Sequence, residues 1–456
     1  MSIMSNYTAS LGILPPELEK FLQGHSATLL IKGAPGTGKT TLALEILKIM
    51  SEKGESTYFS TRLSLEKIKN QFPWIKEDFS FERLGFEFLT NARLCTPEFF
   101  ITTLGRVIRK TKGCVVLDSW DAIAKELDLK ERLKLEKALV NMADSYKVRL
   151  IFVSEEFTHQ PIEYIADGVV TLRHLWVFGR STDKYPPLVR RRSAREIELE
   201  KLRGVPIHQR TYVFTLYDGR FTCLLPYRPQ IAIRSFKATP DLDDWHISTG
   251  IPGLDKTTKG LPRKRFFLLE IGRRVGLRFY PLLFTLIQNT IHSGRGAIML
   301  SSFLPPPEFR KGIEFPGINK EPEKDEDYLG TFKMIFLGKT YEETAVNYTR
   351  EYERLRHQHK EVIEFIDLNA IEGKFGLKET ISFLSDAATR VFEANMPAVL
   401  LAREGMTSLD LTSRLVAVHV VIDDLDGALV IYGISPRSGL YGVITEKNRH
   451  HLIELM

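Results

Sequence analysis

The sequence predicts an α/β protein of two tandem domains, each a mostly parallel sheet with helices on both faces and a C-terminal antiparallel hairpin. Three observations predict it. Residues 33–40, Gly-Ala-Pro-Gly-Thr-Gly-Lys-Thr, follow an apolar run and precede a helix-forming stretch. A second apolar run, Cys114 to Leu117, ends in Asp118 and Ser119. The second half then repeats the order of these segments with the octapeptide eroded.

The elements follow in order. Thr28 to Ile31 reads as a buried strand and Thr41 to Met50 as a helix, with Gly54 as its stop. The octapeptide between them has the GxxxxGK[ST] spacing of a phosphate-binding loop. Gly33, Gly36 and Gly38 let backbone N–H groups turn inward around a triphosphate, with Pro35, Thr37 and Thr41 completing the cradle. Lys39 reaches the outer phosphates and the Thr40 hydroxyl ligates Mg²⁺. The dipole of the helix that follows favours the same anion. A nucleoside triphosphate with Mg²⁺ is therefore the expected ligand of the first domain. Asp118, at the carboxyl end of its strand, is the second expected Mg²⁺ ligand, the Walker B pattern. The stretch LKERLKLEKALVNMADSY reads as a helix, Arg149 to Ser154 as a third strand, and Tyr212 to Gly219 as a hairpin extending the sheet.

Composition bounds the rest. At 456 residues, with 43% hydrophobic and 26% charged, the chain reads as a soluble globular protein of two domains, residues 1–230 and 245–456. No apolar run is long enough to span a membrane, and the polar start MSIMSNYTAS carries no secretion signal. Cys95, Cys114 and Cys223 stand far apart, which predicts neither disulfide nor zinc and points to a reducing, cytoplasmic setting. His357, His359, His450 and His451 read as solvated side chains. The net charge is +6, with one arginine cluster at Arg190, Arg191, Arg192 and Arg195 and another from Arg263 to Arg278. Two readings stay open for them: contact with nucleic acid or another acidic partner, or a solvated face, since Glu196, Glu198 and Glu200 interleave with the first.

The series of phosphate loop, VVLDS, a strand ending in Ser-Glu, ADGVV and Lys-Leu-Arg-Gly at 201–204 resembles the RecA-like ATPases of the KaiC and RadA group. Within that group the opening Leu14 to Leu18, the loop segment and Tyr58-Phe-Ser-Thr-Arg62 resemble the GvpD family of archaeal gas-vesicle regulatory proteins. The resemblance implies tandem RecA-like domains and ATP rather than GTP. It implies a homo-oligomer in which Lys201 and Arg203 reach the neighbour's γ-phosphate, a cation supplied in trans. The competing reading of both residues is the solvent face of a strand. The resemblance further implies a transcriptional activator as the restrained partner.

One departure stands out. Where KaiC-like ATPases place a Glu pair that activates the attacking water, this chain has Thr61 and Arg62, neither of them a base at neutral pH. Glu155 and Glu156 are the remaining candidates for that role. Tight binding with slow turnover follows, which suits a switch; the competing reading is a DNA-stimulated ATPase.

In the second half, a linker from Pro226 to Asp244 leads to Ser248–Asp255, the strand Phe266–Leu269, and Gly272-Arg-Arg-Val-Gly-Leu-Arg-Phe279 where the loop belongs. Leu277, Arg278 and Phe279 stand for the last glycine, the lysine and the metal-ligating hydroxyl, so this domain is expected to lack a nucleotide site. Ile363–Asp367, Pro397–Leu401 and Val418–Gly433 stand for the later strands. Pro305 to Pro307 and the charged run at 321–328 read as an exposed loop.

Overall fold

Alternating burial organises the sheets. The computed structural model describes residues 13–24, 28–78, 84–88, 97–125, 127–155, 161–178, 191–228, 236–302, 327–328, 331–446 and 449–455. They form two compact units, one of the described residues up to 225 with Leu455, the other of those from 226 to 454. Glu156, Cys95, Arg190, the N-terminal decapeptide and residues 303–326 lie outside the described residues.

The first unit runs α1 (Pro16–Gln23), β1 (Thr28–Gly33), α2 (Lys39–Ser51), β2 (Ser56–Ser60), α3 (Leu65–Gln71), α4 (Ile75–Asp78) and β3 (Leu84–Phe88). It continues α5 (Pro97–Lys110), β4 (Cys114–Asp118), α6 (Asp121–Ala124), α7 (Leu129–Tyr146), β5 (Arg149–Ser154) and α8 (Pro161–Ile165). Four strands close it: β6 (Gly168–Phe178), β7 (Arg191–Leu202), β8 (Thr211–Thr215) and β9 (Thr222–Cys223). Their order is β3-β2-β4-β5-β1-β6-β7-β8-β9. The first six strands are mutually parallel, and from β6 onward each neighbour is antiparallel.

The central parallel strands β1, β4 and β5 are mostly apolar because both faces are covered. Leu29 and Ile31 join the core against α1 and α2, whereas Leu30 joins the core against α5 and α7. Val116 and Ile151 take the first side; Val115, Leu117, Leu150 and Phe152 take the second. In β4 this period-two division leaves Asp118, at the strand end, as the one acidic residue. A capping box, Asp128 with Glu131, starts α7.

The second unit runs β10 (His246–Ile247), α9 (Pro252–Thr258), β11 (Leu261–Pro262), β12 (Phe266–Ile271), α10 (Tyr280–His292), β13 (Gly296–Ser301), β14 (Asp327–Tyr328) and β15 (Phe332–Phe336). Then come α11 (Tyr341–Gln358), β16 (Val362–Asp367), α12 (Leu368–Phe375), α13 (Leu377–Ala394), β17 (Ala398–Arg403) and α14 (Leu409–Leu415). It ends with β18 (Val418–Leu425), β19 (Ala428–Ser435), β20 (Leu440–Glu446) and β21 (Arg449–Glu454). Its large sheet has the order β14-β15-β13-β16-β17-β12-β18-β19-β20-β21. Apart from β14, this is the strand order of the first unit, position for position.

The α/β class, the mostly parallel sheets and the C-terminal antiparallel strands agree with the reading from sequence. One detail is corrected: His450 is not solvated but buried in β21. The second arginine cluster is also partly absorbed into ion pairs, Arg263 with Glu361 and Arg278 with Asp424.

Candidate functional site: the phosphate loop and its cleft

The loop at 34–38 joins the C-terminal end of β1 to the first turn of α2. Gly38 caps that helix with φ +103°, a conformation open to glycine and costly for side-chain-bearing residues. It also has no room for one, because a Cβ there would meet Leu216 Cδ1 at 2.9 Å. Leu216 is carried to this place by the turn after β8. That turn is tied to α2 by Arg220, which bonds the buried Glu45 at 2.5 Å and lies 4.3 Å above the Trp74 ring.

A cleft of about 360 Å³ opens over the loop. Of the residues expected to hold nucleotide, Pro35, Gly36, Gly38, Lys39, Thr40 and Thr41 line it, as do Asp118 and Glu155. Gly33 and Thr37 shape the loop from behind: the Thr37 hydroxyl donates to the Ala34 carbonyl at 2.8 Å. Lys39 is buried, and its Nζ donates to the carbonyls of Gly33 at 2.7 Å and Ala34 at 2.9 Å. Burial lowers its pKa, Glu155, Asp118 and Asp121 pull it back up, and Arg62 adds to the lowering.

Asp118 gathers two hydroxyls at one side of the cleft. Its Oδ2 accepts from the Thr40 hydroxyl at 2.7 Å and from the Tyr58 hydroxyl at 2.5 Å. Burial raises the carboxyl's pKa, against the hydrogen bonds of Tyr58 and Thr40 and the charges of Lys39 and Arg62. A hydroxyl and a carboxylate meeting at one point are hard oxygen donors. They fit Mg²⁺, which binds through one or two carboxylates plus substrate phosphates rather than an all-protein cage. Consistent with this, no cluster of three or more acidic, His or Cys ligands occurs among the described residues.

Thr61 and Arg62 follow β2 directly. The Thr61 backbone N–H donates to the Asp118 carbonyl at 2.9 Å, and its hydroxyl accepts from Ser119 N–H at 2.9 Å. The Arg62 guanidinium is paired with the Glu155 carboxylate. Glu155 is held by its backbone N–H, which donates to Asp121 Oδ2 at 2.5 Å. The two carboxylates lining the cleft are thus both engaged, Asp118 by hydroxyls and Glu155 by Arg62. Sequence reasoning missed Tyr58 as a site residue, because its place beside Asp118 depends on the β2–β4 register, in which Ser60 is the partner of Asp118.

Lys201 and Arg203 are not at this cleft. Lys201 sits near the end of β7 opposite Val169, which starts β6 beside Leu30, whereas the loop follows Gly33, beside Leu172. Lys201 Nζ donates to the Ala166 carbonyl at 2.6 Å, and Arg203 pairs with Asp167 at 2.6 Å.

The comparable place in the second unit is filled by side chains. Val275 and Phe279 are buried, and Phe279 stacks on Tyr280 with centroids 4.4 Å apart. Arg278 turns away to Asp424 at 2.9 Å. Asp367 caps α12, accepting from the backbone N–H groups of Asn369 and Ala370.

The family model described as GvpD gas vesicle protein, P-loop domain, matches residues 18–97 and 98–181. Two proteins similar to this chain carry the name GvpD. Protein GvpD2 of Halobacterium salinarum is 26% identical over 483 aligned residues, which span 94% of this chain and 93% of that protein. Protein GvpD1 of the same organism is 28% identical over 275 residues, spanning 54% of this chain and 48% of that one. The GvpD P-loop match holds the loop, Arg62, Asp118 and Glu155, and stops short of Lys201 and Arg203. No described helix is long and apolar enough to cross a membrane.

Proposed function

We propose that this chain is an ATP-binding regulatory protein whose first unit holds Mg·ATP and turns it over slowly, its occupancy being read by a protein partner. Lys39 would neutralise the outer phosphates and Thr40 with Asp118 would hold Mg²⁺, which supplies charge compensation between the phosphates when bound. A single observation carries the slow-turnover reading. The positions after β2 carry Thr61 and Arg62 instead of acids, and Asp118 in the cleft is held by the hydroxyls of Thr40 and Tyr58. An unoriented nucleophile costs orders of magnitude in rate, so the bound state is long-lived and suits signalling. The kinship with GvpD gas-vesicle proteins supports a restrained transcriptional activator as the partner. The filled second loop supports a packing or partner-binding role for that unit.

Calorimetry with Mg·ATP tests the site. Wild type is expected to bind one nucleotide per chain, and Lys39→Ala to lose at least about tenfold in affinity, as befits a charged hydrogen-bond donor. Turnover is expected far below the ~10 s⁻¹ typical of enzymes. Arg62→Glu, which returns an acid beside the cleft, is expected to raise turnover at saturating ATP. Wild-type hydrolysis at tens per second would overturn the switch reading. Its regulatory half fails if a gas-vesicle promoter reporter responds identically to wild type and Lys39→Ala.

A further inference from the structure

Arg62 and Glu155 belong to different strands and meet because of the sheet order. In the register β2-β4-β5, Ser60 lies beside Asp118 and Asp118 beside Val153. Arg62 and Glu155 each stand two residues beyond those partners. Their ion pair therefore bridges the carboxyl end of β4, over Asp118 and in the same cleft as Lys39 and Thr40.

Both partners have anchored backbones. Ser60 Oγ accepts from Leu63 N–H at 2.9 Å, holding the turn that carries Arg62, and Asp121 holds the Glu155 N–H. Their side chains are less confined: Arg62 is 59% exposed and Glu155 30%. An ion pair this exposed is weak, whereas a guanidinium on a phosphate makes a bidentate, doubly charge-assisted contact. A terminal phosphate arriving beside Lys39 and Thr40 would compete for Arg62 on favourable terms.

We propose that Arg62 is a phosphate-reading residue of the first unit: it pairs with Glu155 at rest and transfers to the terminal phosphate when a triphosphate is bound. This rests on the reading of the loop as a nucleotide site. The tie between the ends of β2 and β5 then depends on whether the nucleotide has a third phosphate. The arginine that stands in place of a catalytic acid thereby gains a positive role, discriminating ATP from ADP within the same subunit. Glu155 is the competitor that sets the contrast between the two states.

The test is calorimetric titration of the full chain with Mg·ATP and Mg·ADP, for wild type, Arg62→Ala, Arg62→Lys, Glu155→Gln and Lys39→Ala. Arg62→Ala is expected to lose about 10- to 100-fold in ATP affinity, the worth of a charged hydrogen-bonded contact, while ADP affinity stays within about twofold. Arg62→Lys should recover part of the loss, having charge without the planar fork. Glu155→Gln should tighten ATP and leave ADP alone, because the competing carboxylate is gone. ADP binding doubles as the control for folding. An Arg62→Ala chain that keeps the wild-type ratio of ATP to ADP affinity overturns the assignment, and if Lys39→Ala still weakens both nucleotides the nucleotide site itself survives. A wild type that binds neither nucleotide overturns both readings together.

Discussion

Lys39 and Asp118 are both withdrawn from water, and burial moves their proton affinities in opposite directions, down for the ammonium and up for the carboxyl. Lys39 is made tolerable by the charges of Glu155 and Asp118 and by the carbonyls of Gly33 and Ala34, and Asp118 by the hydroxyls of Tyr58 and Thr40 and the charge of Lys39. Among the described residues His450 has no such partner of opposite charge. Burial holds its imidazole at about 4, a hydrogen bond at Pro281 opposes this, and His451 adds to the lowering. The depressed folded value means that His450 is neutral in both states above its ordinary 6.5. Below that the unfolded chain gains a proton the folded chain refuses. Stability is therefore expected to fall between about pH 6.5 and 4, by about 3 kcal/mol in full. In thermal melts across that range, His450→Phe should flatten this part of the pH profile; an unchanged slope would show that other groups carry it. Nothing in the residues around 450 announces this burial, because a polar terminal stretch reads as solvated until β20 and α9 are known to pack near it.

At the scale of elements, β1, the loop and α2 form one continuous device, and its local grammar was legible. Apolar residues run to the strand end, glycines stand at the turns, and a helix starts at once. The span of α7, Leu129–Tyr146, and that of β5, Arg149–Ser154, were readable for the same reason. By contrast β7 was hidden. Ile197 and Leu199 face the core, but Glu196, Glu198 and Glu200 interleave with them and mask the pattern. Gly38 shows where an element depends on a distant one. Gly38→Ala forces a side chain into a left-handed conformation and against Leu216, so a loss of at least about 1–2 kcal/mol is expected. Differential scanning calorimetry should register a fall of several degrees in Tm, with nucleotide affinity falling alongside. A melting temperature and affinity equal to wild type would mean that the β8 turn does not brace the loop.

For the whole molecule, the matching strand order of the two sheets is the strongest sign that one pattern was used twice. The halves differ at the β1 and β12 ends: a cleft opens over the first loop, and the matching segment of the second carries the buried side chains Val275 and Phe279. Lys201 and Arg203 raise the question of assembly. They lie at the strand end opposite their own loop, so any service to a phosphate would have to be given to another copy. Mixing decides it: a chain with Lys39→Ala keeps Arg203, and one with Arg203→Ala keeps the loop. If the cation acts in trans, the mixture should hydrolyse ATP faster than either variant alone. Turnover no greater than the mean of the two would leave Arg203 as the partner of Asp167 and nothing more.

The phosphate-loop cradle and the α/β class were written in short stretches of sequence, because glycine spacing and strand periodicity act within a few residues of themselves. The state of the cradle was not. Arg62 and Glu155 are 93 positions apart, and Tyr58 and Asp118 are 60 apart. Each pair meets because β4 takes its place beside β2 and β5. Folding thus converts an isolated arginine into a guard over the cleft, since sheet order places the ends of nonconsecutive strands at one edge.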